Sequence, residues 1–516
     1  MSNKWLFIFF LTISAVPLVA QKAGNEWINY DQDYFKIKTG SDDVHRITKA
    51  ALDAAGFDLT GADVSHLQLY HRGEQVAYLP VGLEDGVFNE QDYLLFWGRK
   101  NDGTQDTELF YRAQDQIHTY YNLFSDTTSF FLTLANQAGQ IIERSDLVST
   151  GLNEVERHRE ELFLLETAKF SFGQYYPIGN PKGEVKRSLY DRGQMFMSRE
   201  IMRNSFGINN QLNFKDFVFD DISNELRSAG KPELTFQIVG FNNIERHRAS
   251  VFIGPDTENL RPLVEDIVLS VNNFGTRTLQ IEWSDVSDEG RVVVRVEVLG
   301  FDEFQDDRMA ISYMRLKYNR TLDAFGNEKY FFLEPSNVNQ VATLSNPPQN
   351  TMLWDVTNYR APVALGTTIS AEGVEAVIPA RNETHKLFLK DANELIDVSL
   401  EEMDFKFNDL RDFNYFIISH PFLKQPVEGS YDDPVQAYVD YRESIAGGAF
   451  RVKYADAPDL YDEFGYGEFT PLAIRRYMVK AYTEGSPEYL FLIGKSSRVD
   501  IQIQRRANPL ATNRRE

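Results

Sequence analysis

The chain has 516 residues, 42% of them hydrophobic and 13% aromatic, enough for several domains with sizeable cores. Its formal net charge of -23 argues against nucleic-acid binding, because an acidic surface repels phosphate backbones. It contains no cysteine, which excludes disulfides, thiolate metal sites and a cysteine nucleophile within these residues.

At the N-terminus, Lys4 precedes an apolar run from Trp5 to Val16, and Leu18-Val19-Ala20 is followed by Gln21. This is the pattern of a secretory signal peptide cut between Ala20 and Gln21. The run is short for a membrane span, and no other stretch approaches that length. Residues 1–20 are therefore read as a signal peptide and the mature chain as exported.

Residues 21–135 read as a β-rich unit. Segments 27–30 and 34–38 are predicted strands, the second alternating with period two. A helix is expected over 47–55, ended by Gly56. Segments 67–70 and 75–79 flank a hairpin turn at 71–74, 93–97 is a buried strand, and 120–134 supplies another strand pair. Residues 136–166 are charged and are read as a linker that becomes a short helix, with His158 as a solvated helix residue.

Residues 167–335 hold eight short strand candidates with regular turn signals: 194–197, 212–218, 233–239, 249–253, 266–271, 278–283, 291–299 and 310–318. That spacing suggests a β-sandwich of jelly-roll type. Val292, Val294, Val296 and Val298 give the clearest alternation. Residues 336–410, with strands at 351–356, 374–379 and 385–389, are read as a small β region packing on the C-terminal unit.

Residues 411–516 change character. An apolar run at 414–419 is a buried strand. Asp433 and Pro434 open a helix whose apolar positions are Val435, Tyr438, Tyr441 and Ile445, and Gly447-Gly448 end it. A strand at 450–454, a helix opened by Thr470-Pro471 and ended by Gly485, and a strand at 489–493 follow. This order predicts a parallel α/β sheet.

The blocks Y-F-I-I-S-H-P, Y-V-D-Y-R, G-G, L-Y-D-E-F-G-Y-G, T-P-L-A-I-R-R-Y and Y-L-F-L-I-G, in this order, resemble the opening of the gingipain-type (C25) cysteine peptidase domain. The resemblance implies a caspase-like fold for 411–516 and a prodomain-like role for 21–135. It also implies peptidase or sortase chemistry on exported proteins in a type IX secretion system. Partners would be exported substrates and outer-membrane components, and the location the periplasm, the outer-membrane surface or the exterior. The family's catalytic His and Cys are expected beyond Glu516, so the chain as given is expected to be inactive. The alternative is a non-catalytic cell-surface binding or adhesion module, with the sandwich as a glycan binder by analogy of fold alone.

Other constellations are weaker. Ile493-Gly494-Lys495-Ser496 imitates the end of a phosphate loop, but the position needing glycine is Tyr489, inside a strand. His420 sits after the first strand of the α/β unit, where such sheets place active sites; it is read as a turn residue held by Pro421 rather than as a base. Asp459, Asp462 and Glu463 cluster in one presumed loop and are candidate calcium ligands, since calcium prefers oxygen donors and gingipain-type domains bind it. Loop hydrogen bonding explains them equally well, and no other cofactor is expected. The histidines at 45, 66, 71, 118, 247 and 385 lack metal-ligand spacing.

Overall fold

The computed structural model describes residues 23–146, 148–167, 169–170, 190, 195–203, 212–240, 244–270, 273–301, 306–407 and 409–494. The signal-peptide reading with its Ala20–Gln21 cut and the Lys495-Ser496 pair lie outside the described residues.

The first unit is two sheets over one core. One sheet runs Leu400–Met403, Tyr34–Thr39, Thr128–Leu134, Leu67–His71, Glu74–Val76; the other runs Ile396–Asp397, Asp43–Thr48, Tyr93–Gly98, Tyr78–Val81. Phe35, Ile37, Ile47, Leu69, Leu94, Phe96, Phe130 and Leu132 are the inward positions of the alternating strands and fill the space between. Arg72 and Gly73 adopt φ of 50° and 78°, the two left-handed positions of a type I′ hairpin turn. The predicted helix is shorter, Lys49–Ala54, because Asp43–Thr48 is consumed by a strand.

Two expectations in this unit fail. Residues 27–30 form no strand: Ile28 N donates to Asn25 O, and Trp27 turns into a cluster with Tyr34, Tyr70, Phe131 and Phe405. Residues 120–126 are a loop, because buried Asp106 accepts from Asn122 Nδ2 at 2.7 Å and Leu123 N at 2.6 Å.

The linker reading of 136–166 is also corrected. Glu143–Ser145 and Asn153–Glu154 each join a sheet, and His158–Leu165 is a strand of the sandwich rather than a helix. His158 is 1% exposed, not solvated, and meets Phe331 edge-on. The period-two signal was disguised by charge. Glu160 shares the inward face, where Arg320 Nη1 reaches it at 2.6 Å and Lys329 pairs with it as well.

The sandwich has two sheets as expected. Asp307–Arg320 is central in one, between His158–Leu165 and Glu233–Gly240, with Phe274–Gln280 beyond; Ile201–Arg203 also pairs with it. The other runs Phe214–Phe219, Val292–Val298, Arg246–Gly254, Arg261–Ser270. Val292, Val294, Val296 and Val298 all point into the core, against Phe236, Ile238, Met314 and Leu316. Buried His247 Nδ1 meets Asp307 Oδ1 at 2.7 Å and ties the two sheets together.

A third β unit has its own core around Leu322, Phe331, Leu344, Leu353, Leu387 and Leu389. Its Trp354, Val356 and Phe388 pack on Val44, Leu79 and Trp97 of the first unit, where the sequence had suggested packing on the C-terminal unit. The acidic stretch at 400–403 is an edge strand of the first unit, antiparallel to Tyr34–Ile37.

The C-terminal unit is a parallel sheet of Val452–Asp456, Tyr415–Ser419 and Tyr489–Leu492, with the first strand in the middle. Asp433 caps the helix Pro434–Glu443 through Val435 N and Gln436 N, both at 2.9 Å. The helix Leu472–Glu484 buries Ala473, Tyr477 and Ala481 against Phe416, Leu460 and Phe464.

Burial holds His158 neutral, lowering its pKa to about 4, although Glu160 works to raise it. Between the ordinary histidine value and about pH 4 the unfolded chain takes up a proton that folded His158 refuses. This residue's share of stability is therefore whole above pH 6.5 and is lost as pH falls through the folded value, up to about 3 kcal/mol. In His158→Gln that part of the acid sensitivity is absent, and urea unfolding at neutral and mildly acid pH measures the difference.

Candidate functional site

In a parallel α/β sheet the strand ends and the loops after them meet at the carboxyl edge, which is where ligands and reacting groups are placed. Here that edge is formed by Ser419, Asp456 and Leu492. Ser419 is buried, and its hydroxyl donates to Ile493 O at 3.2 Å, fixing two strand ends together. His420 Nδ1 accepts from Phe422 N at 3.2 Å and caps the short turn Pro421–Lys424. The turn reading of His420 thus matches the geometry.

The edge is acidic. The Tyr454 hydroxyl donates to Asp456 in a short contact, and Lys424 Nζ stands 3.5 Å from the same carboxylate and over the Tyr454 ring. Burial first, then Asp456, Asp433 and Asp459, push the Tyr454 pKa up. The Asp459 carboxyl is raised by burial and by its neighbours Asp456 and Asp462. Such an edge favours a cationic group and disfavours an anionic one.

The calcium candidates do not share a loop. Asp459, Asp462 and Glu463 lie on the helix Ala457–Phe464, which sequence reasoning missed although Pro458 opens it and Leu460 and Phe464 form its buried face. Two of them face different neighbours. Asp462 pairs with Lys36; Glu463 Oε1 accepts from Asn25 Nδ2 at 2.9 Å and the Tyr30 hydroxyl at 2.6 Å. Among the described residues, no group of three or more His, Asp or Glu is arranged to hold a metal ion.

Those contacts belong to a larger seam between the C-terminal unit and the first unit. At its centre Glu468, 2% exposed, accepts from Arg72 Nε at 2.7 Å, Asn101 Nδ2 at 2.9 Å and the Thr128 hydroxyl at 2.6 Å. Arg72 also donates to Asp102 at 3.0 Å. Burial alone would raise the Asp102 carboxyl, yet Arg72 and Thr104 bring it down to about 2. Arg476 Nη2 reaches Gln105 and Glu108 of the first unit, both at 2.7 Å, while its Nη1 holds Phe464 O. Gly467, at φ 76°, accepts from the Ser129 hydroxyl at 2.9 Å; a β-carbon there would stand 2.6 Å from Ser129 Cβ. Arg72 had been read only as a turn residue. A buried ion pair between positions almost four hundred residues apart leaves no local signal.

Three parallel strands with intervening helices, carried behind β-rich units, fit the opening of a caspase-like α/β unit. Residues 408–503 match the model of Peptidase family C25. The crystal structure of dimeric latent PorU from Porphyromonas gingivalis is similar in fold, with a TM-score of 0.54 at 12% identity. The match covers 90% of this chain and 41% of that one, so the chain spans about two fifths of that protein's length. PfGH50B (13% identity, 22% of this chain and 21% of that one, TM-score 0.15) overlaps too little to carry an argument. The infectious bursal disease virus Gx strain (8% identity, 72% of this chain and 80% of that one) superposes too loosely, at a TM-score of 0.21, to carry one either. No curated protein matches the chain.

Removing one partner of a buried pair strands the other's charge. Arg72→Met should therefore destabilise the folded chain by about 3–5 kcal/mol, and adding Glu468→Gln should recover most of that loss. Chemical denaturation of the single and double variants checks both.

Proposed function

We propose that the chain is a PorU-type member of the C25 lineage, exported and acting in a type IX secretion system on the C-terminal sorting signals of exported proteins. The observation that carries this reading is the three-stranded parallel sheet within the C25-matching segment, whose carboxyl edge is the place for acyl-transfer chemistry. In that chemistry a thiolate attacks the scissile carbonyl, an imidazole moves the proton to the leaving amine, and backbone N–H groups hold the oxyanion. Ser419 and His420 are spent on tying the strand end and capping the turn, which supports a positioning role for this edge rather than a nucleophilic one.

The 516 residues contain no cysteine, so the thiolate has to come from outside them. The acidic group of Asp433, Asp456 and Asp459 around Tyr454 supports docking of a basic segment of the substrate at this edge. Export is supported by the N-terminal signal pattern, and no helix among the described residues is long and apolar enough to cross a membrane.

The purified 516-residue chain is expected to bind peptides from sorting signals without cleaving or transferring them, with no sensitivity to a thiol alkylator. Peptide turnover followed by mass spectrometry tests this. Alkylator-sensitive cleavage would overturn the reading of the chain as lacking its thiolate, and absence of peptide binding would remove the substrate assignment.

A further inference from the structure

One sheet of the third β unit ends on an open edge. That sheet runs Thr367–Ile369, Val374–Ile378, Gln340–Leu344, Asn153–Glu154. Among the described residues, no strand pairs with the outer side of Thr367–Ile369, and all three of its residues are exposed. Ser370 N donates to Gly373 O at 2.8 Å across the turn that joins this strand to Val374–Ile378. Opposed pairs in an antiparallel ladder alternate between bonded and non-bonded. Thr368 opposite Glu375 is therefore the next bonded pair, and Thr367 and Ile369 direct their N–H and C=O groups to the free edge.

The edge is also uncovered on its inward face. Residues directly opposite in a ladder share a face. Ile369 stands opposite Val374, yet Val374 is 3% exposed and Ile369 83%. A cavity of about 420 Å³ opens beside Ile369, with apolar walls at Pro347, Pro348, Ala371 and Val374. Towards the start of the strand a second cavity, of about 340 Å³, is lined by Asp146, Val148, Thr368 and Glu375. A β-carbon on Gly366 would stand 2.5 Å from Asp146 Oδ1, so this carboxylate leans over the start of the strand and only a bare backbone admits it. Among the described residues, no cation is paired with Asp146, Glu372 or Glu375. An extended chain laid along such an edge answers each of these features. Its backbone meets the unpaired N–H and C=O groups, and its side chains alternate between the two faces.

We propose that the free edge of Thr367–Ile369 is a docking site for an extended basic segment of a partner protein, which adds a strand to this sheet. An apolar side chain of that segment packs beside Ile369 into the cavity at Pro347 and Pro348. The adjacent residue, a Lys or Arg, points to the opposite face and meets Glu375 and Asp146. Charge fixes the sign of the partner: a chain of net charge -23, with unpaired carboxylates at this edge, repels an acidic segment and attracts a basic one.

The probe is a fluorescein-labelled hexapeptide of alternating Val and Lys, added to the whole chain and followed by fluorescence anisotropy. The same peptide with Glu for Lys is the control. Saturable binding of the Val-Lys peptide, weakened by salt and absent for the Val-Glu peptide, is expected. Ile369→Pro removes an edge N–H that the ladder does not use, a substitution edge strands tolerate. It is expected to weaken binding about tenfold. Glu375→Gln, whose side chain bonds nothing among the described residues, is expected to weaken binding about threefold and to flatten its salt dependence. Circular dichroism checks that both variants keep the fold, and Glu375→Gln keeps the test readable if the proline disturbs the strand. Binding unchanged by both substitutions, the result for a peptide held instead at the acidic edge around Tyr454, would overturn the proposal. Equal binding of the Val-Glu peptide, or no saturable binding up to about 1 mM, would do the same. Self-association of the chain that Ile369→Pro abolishes, with no peptide bound, would assign the edge to a second copy and overturn it as well.

Discussion

A carboxylate without water is tolerable only where cations and donors replace its hydration. Glu468 is in that position, and every replacement for its lost water comes from the first unit: the Arg72 guanidinium, the Asn101 amide and the Thr128 hydroxyl. The loop before the helix Leu472–Glu484 is therefore fixed by residues from the far end of the sequence. Because that helix covers Phe416 and Phe464, the placement of the parallel sheet itself depends on this buried charge. Arg72 can serve because its hairpin turn holds it in a left-handed conformation at the tip of two paired strands, so little backbone freedom remains to be lost.

Around this contact the β units are not beads on a string. Their sheets exchange strands, so a boundary drawn along the sequence cuts through cores instead of between them. The third β unit draws Glu143–Ser145 and Asn153–Glu154 from before the sandwich, and the first unit draws Leu400–Met403 from after it. The sandwich is inserted between these pieces and keeps a separate core of its own.

Elements with strong local periodicity were readable from the sequence. The valines of Val292–Val298, the strand Tyr34–Thr39, the hairpin at 71–74 and the strand–helix order after residue 411 all follow from alternation, caps and turn residues that act over a few positions. His420 was readable too, because Pro421 restricts its backbone. What was hidden shares one cause: the deciding contact was remote. His158–Leu165 looked helical and solvated because its inward charges are neutralised only by Arg320 and Lys329, far along the chain. Asp459, Asp462 and Glu463 looked like a cation loop because their proximity in sequence was visible, while Lys36, Asn25 and Tyr30, which engage two of them, were not.

The glycine at 467 has a reach beyond its own turn. Its bare backbone lies against Ser129 with no room for even one extra carbon, so the seam is closed to any wedge, solvent molecule or larger residue at that point. The units therefore cannot drift apart by gradual enlargement there. Divergence among chains of this build has to take the route of matched exchanges on the rim, or of rewriting the whole contact at once.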